Sequence, residues 1–155
     1  VRAASKGLGL SLAIIGGSPD RFRVFTDLYR RTLVEHGRDP EDFPISVHGH
    51  GFVAPTDEEA VEIFYPSYSV AMTRLGRERG WEPMTREQFD MMRSPEGSLV
   101  LGSPETVAAK ILRWKEKLDI QRFELHVSVG TMPHDHVLRS IELLGKEVAP
   151  IVRGG

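Results

Sequence analysis

The sequence predicts an α/β fold in which three parallel strand-then-helix units, with a helical insertion among them, form the C-terminal portion of an eight-stranded βα barrel. Three observations lead there. Short apolar runs are repeatedly followed by helix-start signals, two of the strands alternate apolar and polar residues with a period of two, and apolar stripes at helical spacing fill the stretches between. A closed eight-stranded barrel runs to roughly 250 residues, so three units are too few to close one. Val1-Arg2-Ala3-Ala4-Ser5-Lys6-Gly7 reads as a helix entered midway, without an initiator Met or a preceding cap. Residues 1–155 are therefore expected to be the C-terminal fragment of a single barrel domain.

The first strand is Leu10 to Ile15, an apolar run bounded by Gly9 and Gly16-Gly17 that suits burial on both faces. Ser18-Pro19 opens a helix, Ser18 as N-cap and Pro19 at the first helical position, and Phe22, Phe25, Tyr29, Leu33 and His36 carry its stripe to Gly37. The second strand, 45–54, places Ile45, Val47 and Val53 on one face with two glycines, and Ser46, His48 and His50 on the other. Thr56-x-x-Glu59 is a capping box for a helix through Phe64, Tyr68, Met72 and Leu75, which Pro66 is expected to kink. From Gly80 an insertion over one end of the fold is expected, with a short helix capped by Thr85 and Gln88. Leu99-Val100-Leu101 is extended, and Ser103-Pro104-Glu105 opens a helix with the stripe Val107, Ile111, Trp114 and Leu118. In the third strand, 122–129, Phe123, Leu125, Val127 and Val129 alternate with Glu124, His126 and Ser128, and a last helix carries Leu138, Ile141, Leu144, Val148 and Ile151. The helices after Ser18, Thr56, Ser103 and Pro133 are expected on one side of the sheet.

Outward strand side chains in a βα barrel pack on helices, while inward ones near the C-terminal mouth meet ligand. That parity assigns His48, His50, His126 and Ser128 to a substrate pocket, with Ser46 and Glu124 on the same face. Gly16-Gly17-Ser18 follows a strand and precedes a helix, a setting where free backbone N–H groups hold phosphate, and it is the cofactor-binding candidate. Gly102-Ser103-Pro104 has the same form and reads as ordinary helix-start chemistry. His48-x-His50 could supply metal ligands, the basis of an alternative reading as a metal-dependent hydrolase. No acidic residue accompanies that pair, however, and His134 and His136 in a helix's first turn point about 200° apart.

Composition is that of an ordinary folded domain, 40% apolar and 27% charged. A net charge of −2 with signs interspersed gives no footprint for nucleic acid or an anionic membrane. The absence of Cys removes thiolate metal sites and nucleophiles and fits a cytoplasmic location. No P-loop, Gly-x-Ser-x-Gly elbow or dinucleotide fingerprint is present.

Several segments, in order, resemble the C-terminal part of the bacterial-luciferase-like flavin-dependent monooxygenases. They are Val1-Arg2-Ala3-Ala4, Ala13-Ile14-Ile15-Gly16-Gly17, Asp27-Leu28-Tyr29-Arg30-Arg31, Val47-His48-Gly49-His50-Gly51 running into Val53-Ala54-Pro55-Thr56-Asp57-Glu58-Glu59-Ala60, Gly102-Ser103-Pro104-Glu105-Thr106-Val107, and Arg139-Ser140-Ile141-Glu142-Leu143 with Val148-Ala149-Pro150. The resemblance implies a TIM barrel, dimeric when full length, that uses reduced FMN, or F420 in one branch, with O2 to oxygenate a small organic substrate. It also implies electrons from a flavin reductase or NAD(P)H. The family's main phosphate turn and chief catalytic positions precede Val1, so no catalytic residue is assigned, and the fragment alone is expected to be inactive. A non-catalytic half-barrel is the remaining alternative.

Overall fold

One strand organises the molecule. In the computed structural model, which describes residues 1–154, β2 (Ile45–Val53) pairs with all three other strands. β1 (Leu10–Ile14) runs parallel to it, from Leu10 opposite Ile45 to Ile14 opposite Gly49. β4 (Arg122–His126) is also parallel, from Ser46 opposite Arg122 to His50 opposite His126. Both partners use the same stretch of β2, so they flank it on opposite sides, and all three are parallel neighbours as the sequence predicts. β3 (Val100–Gly102) pairs in parallel only with the far end, Gly51 to Val53. That approach requires glycine: a Cβ on Gly51 would lie 1.8 Å from the Val100 carbonyl oxygen.

The two faces of β2 bury into separate cores. Ile45, Val47 and Val53 pack with Tyr29 and Leu33 of α2 (Arg23–Glu35) and with Val107, Ile111, Trp114 and Leu118 of α5 (Pro104–Leu118). A fully buried side chain of this size contributes ~1.5–3 kcal/mol, so this packing fixes which parity faces the helices. The second core joins Phe52 and Ala54 to Ala60, Phe64, Tyr68 and Met72 of α3 (Asp57–Arg79) and to Phe89 of α4 (Arg86–Arg93). Phe52 shares the parity of His48 and His50, and its ring stacks on Phe64 at 5.8 Å.

The helix after Thr56 is thus not on the same side as α2 and α5. It covers the histidine-bearing face at the C-terminal end of β2, and Pro66 lies within it without ending it. The crossover from β2 to β4 is α5, and the insertion begins at the end of β2 rather than at Gly80, carrying α3, α4 and β3. Its ends are clamped together: the Asp57 carboxylate accepts the Ser103 backbone N–H (2.7 Å) and the Thr106 hydroxyl (3.1 Å). Gly102 makes room for that carboxylate, having φ +148° and a Cβ position 2.4 Å from Asp57 Oδ1.

Three further expectations change. β1 is not buried on both faces: Ser11 and Ala13, in register with Ser46 and His48, are exposed because no element covers that face beside β1. The segment after Ser18 is a 3-10 turn, Pro19–Phe22, before α2, and Ser18 makes no side-chain cap bond. At the C-terminus, α6 (His134–Leu143) passes through a π-helical turn, Leu144–Val148, into α7 (Ala149–Gly154). The wider turn shifts the apolar stripe, so Ser140, Leu143 and Val148 point inward while Leu138, Ile141 and Ile151 stay exposed. Ser140 Oγ accepts the Val53 N–H at 2.8 Å, filling a ladder position beyond the end of β4.

Candidate functional site

The pairing of β2 with β4 gathers the three histidines. His50 lies opposite His126, and His48 precedes it by two residues on the same face. The His48 and His126 rings stack at 5.4 Å, His50 meets His126 edge-on at 5.2 Å, and the His48 and His50 centroids are 6.2 Å apart. Ser46 sits at the buried foot of this face, and Glu124, opposite His48, is exposed. Ser128 falls beyond the paired part of β4 in an exposed position, outside the ring contacts that join the histidines. Among the described residues no group of three His, Cys, Asp or Glu side chains is placed to hold a metal ion.

Tyr68, in sequence one member of the apolar stripe of α3, completes the cluster. Its ring packs edge-on to His50 at 5.8 Å and is fully buried against Phe64. Burial pushes its phenol up to about 12. Burial also brings the His50 imidazole down to about 4, helped by the neighbouring His126 and His48. Both groups are therefore neutral near pH 7. The Tyr68 hydroxyl and His50 Nδ1 are buried without a hydrogen-bond partner. Unmet polar atoms of this kind are rare in folded proteins; Arg30 Nε and Trp114 Nε1, away from the cluster, are the others among the described residues.

A separate cavity of about 640 Å³, within the range of small-molecule pockets, is lined by none of the histidines and not by Tyr68. One wall is Ile15, Gly16, Gly17 and Ser18 at the C-terminal end of β1. The opposite wall comes from the insertion, with Met72 and Leu75 of α3, Trp81, Met84, and Met91 and Met92 of α4. Nothing lies within 4 Å of a Cβ built on Gly16 or Gly17, so their backbone is open to the cavity. Because a four-residue 3-10 turn follows them, helix-dipole support for a phosphate there is small; what the turn offers is accessible peptide N–H groups and a free Ser18 hydroxyl. The other Gly-Ser-Pro turn behaves differently: Ser103 accepts the Thr106 N–H, the ordinary cap expected of it. α3 links the two parts of the site, Tyr68 touching the histidines and Met72, one turn on, lining the cavity.

The family model of luciferase-like monooxygenases matches residues 1–120. No curated protein matches the sequence. Among solved structures, monooxygenase RslO1 from Streptomyces bottropensis superposes with a TM-score of 0.75 at 22% identity, over 96% of this chain and 43% of that one. The oxygenating constituent of 3,6-diketocamphane monooxygenase from Pseudomonas putida, in complex with FMN, gives 0.68 at 20% identity, over 97% and 44%. The coenzyme F420-dependent tetrahydromethanopterin reductase from Methanopyrus kandleri gives 0.61 at 17% identity, over 96% and 46%. The chain spans less than half the length of each. No helix among the described residues is long and apolar enough to cross a membrane.

Proposed function

The chain belongs to the luciferase-like monooxygenase family, and from that premise we propose that it supplies the C-terminal part of a (β/α)8 barrel that binds a flavin-type cofactor and oxidises a small organic substrate with O2. The observation that carries the reading is the open Gly16-Gly17 backbone on a 640 Å³ cavity at the C-terminal end of β1, linked through α3, which gives Met72 to the cavity and Tyr68 to the histidines, to the buried, unpartnered Tyr68 hydroxyl and His50 Nδ1. Parallel αβ sheets present ligands at this end.

The residues fit such a group. Gly16, Gly17 and Ser18 would hold an anionic portion through backbone N–H and hydroxyl donors, and FMN is favoured over F420. When bound, the flavin supplies the redox chemistry with oxygen. His48, His50 and His126 line the substrate side, joined by Tyr68, and Ser128 lies at its rim. His50 and Tyr68, both neutral, can hydrogen-bond a substrate oxygen without drawing a counter-charge into the pocket. α3 and α4 exclude water by covering the mouth. Electrons would come from a flavin reductase or NAD(P)H, and the longer protein would act as a homodimer.

Flavin fluorescence titration tests this. A longer protein containing this chain is expected to bind FMN stoichiometrically and the 155-residue chain to bind it poorly, with Gly17→Val weakening the longer form several-fold. Failure of the longer protein to bind either FMN or F420 would overturn the proposal.

A further inference from the structure

Lys110 is a buried cation on the far side of the cavity wall. It is 5% exposed, and its ammonium donates to the backbone carbonyls of Leu99 (2.7 Å), Ser94 (2.5 Å), Arg93 (3.3 Å) and Met92 (3.5 Å). Met92, Arg93 and Ser94 form the C-terminal end of α4, where carbonyls lack helical partners and the dipole favours positive charge. Leu99 immediately precedes β3. One side chain therefore joins both ends of the 92–99 segment, whose base is also closed by the Leu99 N–H on the Met92 carbonyl at 2.8 Å. Ser94, Glu96 and Gly97 of that segment, with Met91 and Met92 at its start, form the cavity wall facing Gly16-Gly17-Ser18. Ser98 completes the span, its hydroxyl donating to the Ile15 carbonyl at 3.4 Å.

We propose that Lys110 is a positioning residue for the cavity: it latches the 92–99 segment in place and so sets how tightly the cavity retains an uncharged, apolar organic ligand. The ligand class follows from the apolar part of the wall, where four methionines, Leu75 and Trp81 give a deformable surface beside the polar Arg79, Glu82, Gln88 and Glu96; it rests on the reading of the cavity as a ligand site, whereas the latch itself does not. The charged groups around Lys110 are Arg93 and Asp90 of α4, Glu96 of the segment, Arg113 of α5 and Asp57 at the start of α3. Burial brings the ammonium down to about 7, with Glu96 opposing the fall and Arg113 and Arg93 adding to it. Losing a proton leaves two N–H donors for four carbonyls in place of three. The latch should loosen as pH rises through that point.

The test uses the wild-type protein, Lys110→Met and Lys110→Arg, with hydrogen–deuterium exchange and titration of the neutral dye Nile red, well below and well above pH 7. Wild type should bind the dye several-fold more weakly at the higher pH, with lower protection at 94–99 and unchanged protection in α5 once each rate is divided by the intrinsic rate at that pH. Lys110→Met should bind weakly and show low protection at 94–99 at both, while Lys110→Arg, charged throughout, should keep tight binding and high protection at both. If Lys110→Met does not fold, the comparison of wild type with Lys110→Arg decides: an equal loss in both at high pH overturns the latch. High protection at 94–99 in folded Lys110→Met overturns it too. Should the dye fail to bind while exchange follows the expected course, the latch stands and the ligand reading falls.

Discussion

His50 carries the most direct consequence of burial at a single residue. An unfolded imidazole takes up its proton near 6.5, but the folded one, desolvated and beside two other histidines, waits until about 4. Between those values the unfolded chain binds more protons, so stability is full above about pH 6.5 and falls as pH drops toward 4, by at most ~3 kcal/mol. Urea denaturation across that window should show the slope, and His50→Phe, which keeps the ring against Tyr68, should flatten it; an unchanged slope would assign the acid sensitivity elsewhere. Tyr68→Phe separates structure from function differently. Removing a hydroxyl without a partner should leave stability unchanged or raise it by ~1 kcal/mol, yet weaken flavin or substrate binding in the longer protein. Equal binding by both forms would mean that the hydroxyl serves no ligand. The histidine cluster was legible in the sequence because a strand's period of two puts His48 and His50 on one face, and the repeated pattern in the third strand adds His126. Tyr68 was not, since a tyrosine in a helical stripe looks the same whichever side of a sheet the helix covers.

At the level of elements, the insertion is held by a few contacts that admit no substitution. A methyl group on Gly51 would meet the Val100 carbonyl at 1.8 Å, so Gly51→Ala should force β3 off the end of β2 at a cost of ~1–3 kcal/mol. Because β3 also anchors α3 and the 92–99 segment, the loss should appear as fast amide exchange in both, with α2 and α5 still protected; uniform destabilisation would show that the insertion is not a separate unit. The strands, α5 with its stripe, and the capped α4 follow directly from local chemistry: the Thr85–Gln88 box forms in full, and Val107, Ile111, Trp114 and Leu118 are all buried. The side taken by α3 is set by long-range packing of Phe52 on Phe64, which no local period records. The last helix misleads for another reason, since a π-helical turn resets the phase on which a stripe of 3.6 residues depends.

Among the described residues β1, β3 and β4 each pair with β2 alone, which leaves the sheet open on both sides of β2. On β1 the exposed Ser11 and Ala13 lie beside the histidine face, so a strand added there would extend both the sheet and the site. An unpaired edge with small, uncharged side chains is a template for another chain. The 155-residue chain is therefore expected to self-associate at micromolar concentration, and Ala13→Lys, which places a charge on the exposed face of that edge without touching either core, should reduce the association while leaving far-ultraviolet circular dichroism unchanged. Sedimentation velocity over a concentration series reads this directly. Association that persists unchanged in Ala13→Lys would move the interface to β4 or to the exposed Leu138 and Ile141 of α6, whereas a concentration-independent monomer in wild type would mean that the edges are protected as they stand and that the site needs no further strands to stay soluble.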